Sequence, residues 1–336
     1  MSQTQTNPND GRRPTPLTVA VVAADRFETI RRTLEALSIQ TMADDLEVLL
    51  VAPDAEAVAG MPPEATARFA RFETIYVGAV ADVDKAATPA LLKASSPVVA
   101  LIEDHAYPEP AWAEAILRAH EGPWAAVGST VANANPDADL SWVNQLLAYG
   151  EWTEPLRGGE GMVSRHNVSF KRSWLEAYEG RLEDLLGRGG GLLPDLKRRG
   201  GRFWIAPEAR VRHLNPSRLG PTVELRLHGG RLSAAGRAVS EGWPWWRRAV
   251  YVGASPLIPM VRLQRLLPKV FGPQLRHRAP RLLPLLIGAL LLDGVGQALG
   301  FAFGPGRAEG RMASFEFRRD RHLTENDRRK LAFTAG

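Results

Sequence analysis

The sequence predicts an α/β protein: a doubly wound, mostly parallel sheet with a helical, apolar and basic C-terminal appendage. Three observations lead there. Residues 17–23 (LTVAVVA), 46–52 (LEVLLVA) and 98–102 (VVALI) are short, near-continuous apolar runs, as in strands buried on both faces of a parallel sheet. Segments with helical spacing separate them, and that alternation implies right-handed crossovers. After about residue 225 the chain changes character, and long Leu-, Ile-, Val- and Trp-rich stretches are interleaved with arginine.

Taken in order, residues 1–16 (MSQTQTNPNDGRRPTP) are polar and proline-rich, have no apolar h-region, and are expected to form a disordered leader rather than a secretory signal. The first strand follows. Thr29 to Gln40 is helical, with Ile30, Leu34 and Leu37 on one face and Arg31, Arg32 and Glu35 on the other. The second strand closes at Pro53-Asp54. Helical residues near 55–70 lead to a third strand near 73–77 (ETIYV), and a helix at 84–95 feeds the fourth, at 98–102. A helix at 111–120 and a strand-like stretch at 124–133 come next, then an irregular region with Trp142, Tyr149, Trp152 and GGEG at 158–161. Aromatics at such irregular spacing either stack on a sugar or fill the core, with core the better reading. HNVSFKRSWL (166–175) starts as a strand and becomes a helix. A glycine cluster at 187–191 interrupts helices, and 202–215 reads as a hairpin or edge strand ending in His213. The predicted units are a leader (1–16), a catalytic-type α/β domain (17–225), a membrane-associated helical region (226–305) and a charged tail (306–336), surface-lying or in part disordered.

The 336 residues suit one large α/β unit plus an appendage, and 45% apolar residues are ample for a core. With no cysteine, disulfides, thiolate chemistry and Cys-ligated zinc are excluded. The net charge of +5 hides an asymmetry: residues 1–225 hold 23 Lys/Arg against 30 Asp/Glu, and residues 226–336 hold 19 against 7. A basic tail suggests an anionic partner surface. Nucleic acid is the rival reading, but arginines interleaved with long apolar segments suit lipid better than a phosphate backbone. Residues 243–271 mix Trp, Arg and apolar residues as interfacial segments do, and 282–303 is long enough to cross a hydrocarbon core of about 30 Å. Asp293, Gln297 and four glycines in that segment leave a buried helical hairpin as the alternative.

The chemistry concentrates at residues 97–117 (PVVALIEDHAYPEPAWAEAIL). Here the buried strand 98–102 ends abruptly in Glu103-Asp104-His105. Carboxyl ends of strands are where open α/β sheets bind ligands. All three side chains can ligate a divalent cation, and carboxylate oxygen is preferred by Mg or Mn. The competing reading is an acidic turn that caps the following helix.

These residues, with VAVVAADRFETIRRTLEALSIQT, LEVLLVAPD, HNVSFKRSWLEAY and LKRRGGRFWIAPEARVRHLN, resemble family 2 glycosyltransferases of the GT-A fold over roughly residues 17–215. The basic apolar tail resembles bacterial members whose C-terminal helices attach to the cytoplasmic membrane. The resemblance implies an inverting, metal-assisted transfer from a UDP- or GDP-sugar to a glycan or lipid-linked acceptor. It places the enzyme at the cytoplasmic face of the inner membrane, on an anionic lipid surface, with no nucleic acid as partner. Glu103-Asp104-His105 would occupy the metal motif, with Asp104 first as ligand or ribose contact and His105 next. His213 resembles the histidine that some members add to the metal.

The family's Asp-Asp-Gly-Ser after its second strand is replaced by Ala52-Pro53-Asp54, so that nucleotide contact is Asp54 or absent. Asp25 would border the base or simply start a helix. Asp82 or Asp84 would contact the uracil or ribose, with N-capping as the alternative. His166 and Asn167 would line the sugar pocket, where polar groups suit hydroxyls. The general base that an inverting transfer needs falls to Asp184, then Asp195. At the family's usual spacing before Gly200 stands Gly189-Gly190, without an acid. A catalytically silent, nucleotide-binding scaffold is therefore the alternative. No glycine follows the first strand in Ala23-Ala24-Asp25-Arg26, which disfavours nucleotidyltransferases and Rossmann dehydrogenases.

Overall fold

A computed structural model describes residues 14–187, 191–317 and 319–333, so residues 1–13 of the expected leader and Gly189-Gly190 lie outside it. Strand β1 (Leu17–Val22) is buried along its whole length between β2 (Leu46–Ala52) and β4 (Val98–Ile102), both parallel to it. That position is why its sequence is apolar on both faces. Helix α1 (Phe27–Ser38) covers one side with Phe27, Ile30, Leu34 and Leu37 and keeps Arg31 and Glu35 paired at 2.8 Å outside.

The segment expected to be helical near 55–70 forms two short 3-10 turns, because Gly60 at φ +84° and Pro62-Pro63 break any longer helix. β3 (Arg71–Tyr76) is the parallel edge strand. The helix expected at 84–95 is split into α2 (Val83–Ala86) and α3 (Thr88–Lys93), with Pro89 in the first turn of the second. Glu47, fully buried on β2, is neutralised by Arg71 at 2.9 Å and accepts from the Ser95 amide and hydroxyl, both at 2.9 Å.

Beyond β4 lie β5 (Ala106–Pro108), α4 (Trp112–His120), β6 (Ala126–Asn133), α5 (Asp139–Tyr149), β7 (Gly159–Glu160) and β8 (Val168–Lys171). Then come α6 (Arg172–Glu176), α7 (Leu182–Leu186), α8 (Leu192–Arg198) and β9 (Phe203–His213). The sheet order is β3-β2-β1-β4-β8-β6-β9-β5, with β7 also on β9. From the pairings, β1, β2, β3, β4, β6 and β9 run one way, and β5, β7 and β8 run against them. The fold is thus mixed α/β with a mostly parallel sheet. β9 is neither a hairpin nor an edge. It is one interior strand whose register on β6 slips between Ser129 and Thr130, where Pro207 cannot donate to the ladder.

Helix α9 (Leu219–Ser240) runs unbroken across residue 225, so the expected domain boundary falls inside a helix. α10 (Trp245–Ala254), α11 (Leu257–Val270) and α12 (Ala279–Phe303) complete a helical layer, with α12 packed on α9, α10, α11 and α5. Gly296 and Gly300 let α12 lie directly on α9: β-carbons there would overlap the carbonyl oxygens of Leu227 and Arg231. Asp293 is buried on the same face, bonded by Arg262 and, at 2.7 Å, by Gln297.

The opposite face of α12 leaves Ile287, Leu291, Val295 and Phe303 exposed, α10 exposes Trp245 and Trp246, and α11 exposes Leu257 and Met260. By length and composition the segment 276–303 is able to cross a membrane. The tail folds back as α13 (Ala308–Glu316), a 3-10 turn (Arg319–His322) and α14 (Glu325–Phe333). It is tied to the sheet domain by Arg26–Asp320 at 3.0 Å and by Asp327 against Ser217 and Asn135.

Candidate metal centre and adjoining cavity

The chain leaves β1 toward β2 and β3 on one side and returns to β4 on the other, so the carboxyl ends of β1 and β4 flank a topological switch point. A cavity of about 630 Å³ opens there, lined by Val22 of β1 and by Leu101 and Ile102 of β4. Glu103, Asp104 and His105 leave β4 in a tight turn closed by the Ala106 amide on the Glu103 carbonyl at 3.1 Å. The Thr33 hydroxyl, donating to the Asp104 carbonyl at 2.7 Å, fixes the turn to α1. Pairing of β5 with β9 sets Ala106 opposite His213, which puts the His105 and His213 rings edge to face at 4.5 Å.

One ligating atom each from Glu103, His105 and His213 lies within 4.8 Å of the others, a spacing that can hold one cation. The surrounding hydrogen bonds aim these atoms. His105 Nδ1 is 2.6 Å from Asp104 Oδ1, and His213 Nδ1 is 3.0 Å from Asn215 Oδ1. Each acceptor takes the Nδ1 proton, so both rings turn a bare Nε2 toward Glu103, at 4.0 and 3.5 Å. Glu103 is bracketed in turn: Tyr149 Oη donates to Oε2 at 2.5 Å, and Asn167 Nδ2 donates to the same oxygen at 2.7 Å. The Glu103 amide donates to Asn167 Oδ1 at 3.2 Å. Asn167 makes these contacts from the left-handed region, φ +53°, which asparagine tolerates better than most residues.

Burial alone would raise the Glu103 carboxyl, but His166, His105, His213 and the Tyr149 hydroxyl hold it well below the usual carboxylate range. Burial, with His105 beside it, pushes His213 down to about 3, and burial also lowers His166. Burial beside Glu103 raises the Tyr149 hydroxyl far above its ordinary value, so it remains a donor. The result is a carboxylate held in its ionised form beside the His213 and His166 rings, which burial holds toward the neutral form that coordination requires.

Of the other expected site residues, Asp84 and His166 line the cavity, Asp84 Oδ2 pairing with Arg165 at 3.2 Å and Asp84 Oδ1 lying 3.4 Å from His166. Asp104 orients His105 and faces Arg319 at 3.5 Å, outside the set of three ligating side chains. Asp82 caps α2 through the amides of Asp84 and Lys85, and Asp54 accepts from the Ala57 amide in an exposed turn. Asp25 is half-buried past β1, and neither it nor Asp54 lines the cavity.

The structure also moves the two expected bases away. Asp184 is exposed on α7, and Asp195 on α8 is taken up by Tyr178, Arg198 and Arg199 at 2.8–2.9 Å. Neither lines the cavity. Sequence reasoning missed Asn215, Arg319 and Arg226, and it read Tyr149 as core. Asn215 carried a readable signal, standing two residues beyond His213 at a strand end. No protein-family model matches the chain, and no curated protein matches it.

Proposed function

We propose that this chain is a GT-A-type glycosyltransferase that takes a sugar from a nucleoside-diphosphate donor and works at an anionic membrane surface, on the cytoplasmic face of the inner membrane. The observation that carries this reading is the Glu103/His105/His213 set, pre-oriented at the switch point beside a cavity large enough for a nucleotide sugar. Two imidazoles and one carboxylate suit Mn better than Mg, which prefers oxygen ligands. Bound there, a divalent cation supplies positive charge against the developing charge of a leaving diphosphate. The chain's own part is to add Arg319 and Arg165 to the same wall and to hold Glu103 ionised through Tyr149 and Asn167. Asp84 and His166 offer hydrogen-bonding groups to the ribose or the sugar. The bare apolar faces of α10, α11 and α12, set among arginines, supply the lipid contact.

A silent scaffold is the second reading, favoured by the placement of Asp184 and Asp195 outside the cavity. Calorimetry with UDP and GDP, in Mn and in chelator, tests both. The transferase reading expects one nucleotide to bind at least about tenfold more tightly with Mn, the gain vanishing in Glu103→Gln, together with hydrolysis of the matching nucleotide sugar. Binding without turnover favours the scaffold. If neither nucleotide binds, with or without Mn, both readings are refuted.

A further inference from the structure

A second cavity, of about 860 Å³, lies outside the metal centre, where the start of α9 meets α13 and the 3-10 turn that follows it. Of the described residues that line them, the two cavities share Phe315 alone. Four guanidinium groups line the second: Arg218 before α9, Arg307 and Arg311 at the head of α13, and Arg321 in the turn. Glu224 is the one carboxylate among its described lining residues. Among the described residues, none of the four arginines has a carboxylate within ion-pair distance. Main-chain oxygens hold two of them in place. Arg218 donates to the Arg321 carbonyl at 2.8 Å, and Arg321 donates to the Ser314 and Phe317 carbonyls at 3.0 and 3.3 Å. A guanidinium carries five N–H donors, so most remain for a ligand.

Two further features point to an anion. Helix α9 is 22 residues long, its first turn holds no acidic residue and no side chain caps it. The positive end of its dipole is therefore uncompensated where Gly220 and Pro221 line the cavity. His322, 5% exposed, lines the same space. Its ring stacks on Phe315 at 3.9 Å, and its Nε2 donates to the Phe315 carbonyl at 2.8 Å, which leaves Nδ1 as the nitrogen without a proton. That Nδ1 is buried without a partner. A ligand O–H would donate to it as it stands, and after proton uptake it would itself donate to an anionic oxygen.

We propose that this second cavity binds a multiply charged phosphate group, carried by a small soluble molecule or by a lipid headgroup. Guanidinium groups without counter-charges repel one another, and a phosphate that accepts from several at once removes that cost. A monovalent anion would leave most of the excess of four arginines over one glutamate uncompensated. The lining offers little apolar surface beyond Phe315 and Pro221, so recognition falls on the phosphate and not on its carrier. Glu103, His105 and His213 are not part of this lining, so binding here needs no cation. The site therefore stands apart from the transferase reading.

The test is calorimetry of the full-length protein with pyrophosphate, and with acetate as a monovalent comparison, in chelator so that no cation bridges the ligand to Glu103. Pyrophosphate is expected to bind about tenfold or more tighter than acetate, and R307Q/R311Q to weaken it by about tenfold or more, the range for loss of charge-assisted contacts. R265Q/R276Q removes the same charge from exposed arginines that line neither cavity, and is expected to stay within about twofold of native. Glu103→Gln is expected to bind as the native protein does. The Nδ1 resonance of His322, assigned by its absence in His322→Gln, is expected to shift during the titration, and it reads the site in the native protein should a variant fail to fold. Phosphatidylcholine vesicles doped with phosphatidic acid or with phosphatidylglycerol separate the carriers. A preference for phosphatidic acid that pyrophosphate displaces and R307Q/R311Q abolishes assigns a lipid headgroup; any other vesicle result, with pyrophosphate bound, assigns a soluble molecule. The proposal is overturned if pyrophosphate does not bind, if acetate binds as tightly, if R307Q/R311Q binds no more weakly than R265Q/R276Q, or if the His322 resonance stays in place.

Discussion

Asp104 makes the sharpest test of the candidate metal centre, because its position predicts an intermediate effect. Its Oδ1 lies 2.6 Å from His105 Nδ1, and its carboxylate also balances Arg319 at 3.5 Å. Removing it in Asp104→Ala leaves Glu103, His105 and His213 in place but frees His105 to carry its proton on Nε2, the atom that should face the cation. It also leaves the Arg319 charge balanced by Glu316 alone. Loss of one such orienting partner costs about 10- to 100-fold in metal affinity, or about 1.4–2.8 kcal/mol. Asn215→Ala should fall in the same range, since Asn215 plays the same part for His213. The two act on different ligands, so their effects should add to within about 0.5 kcal/mol in the double variant. Mn titration followed by the paramagnetic resonance of the free ion measures each affinity, with thermal unfolding as a control for the fold. An Asp104→Ala affinity within twofold of native would show that His105 needs no orienting partner. A loss as large as that of Glu103→Ala would make Asp104 a ligand. Either result refutes the reasoning.

Two further outcomes follow from the packing. Gly296→Ala places a β-carbon against the Leu227 carbonyl, 3.0 Å from its carbon and 3.1 Å from the Arg231 nitrogen, and backbone cannot swing aside. The expected cost is about 1–3 kcal/mol in chemical denaturation, and a midpoint unchanged from native would mean that α9 and α12 are not in direct contact. His120, buried with Nε2 on the Ser169 hydroxyl, is pushed down to about 4 by burial and by Lys171. Its folded pKa lies below its unfolded value, so its stabilisation is complete above pH of about 6.5 and is lost as pH falls toward about 4. Native stability should therefore drop by an extra 2–3 kcal/mol or so across that window relative to His120→Gln, and parallel stability–pH curves would contradict the shift.

What the sequence disclosed and what it hid divide along physical lines. The strands at 17–22, 46–52 and 98–102 were legible because strands buried on both faces must be apolar throughout. The Glu103-Asp104-His105 turn was legible because charge at the end of such a run has few uses. His213 could be suspected, but its pairing depends on the β5–β9 register, which joins residues over a hundred positions apart. The division of labour within the turn was hidden for the same reason: whether Asp104 or Glu103 faces the cation depends on Thr33, Asn167 and Tyr149, three separate elements. Asp184 and Asp195 are the acids that the chain offers near the position the resemblance implies, and nearness in sequence carries no information on which side of the sheet α7 and α8 lie. Arg226 was hidden because an arginine on a basic helix reads as solvated until its surroundings are known.

The helical third and the sheet domain are not separable units joined by a linker. α9 crosses the expected boundary unbroken, Arg226 reaches the cavity from its middle, and the tail returns from beyond α12 to set Arg319 against Asp104. The cavity is thus walled by the strand ends on one side and by the helical layer on the other. The geometry therefore makes assembly of the cavity a consequence of the same helix packing that sets α12 on α9 and α5.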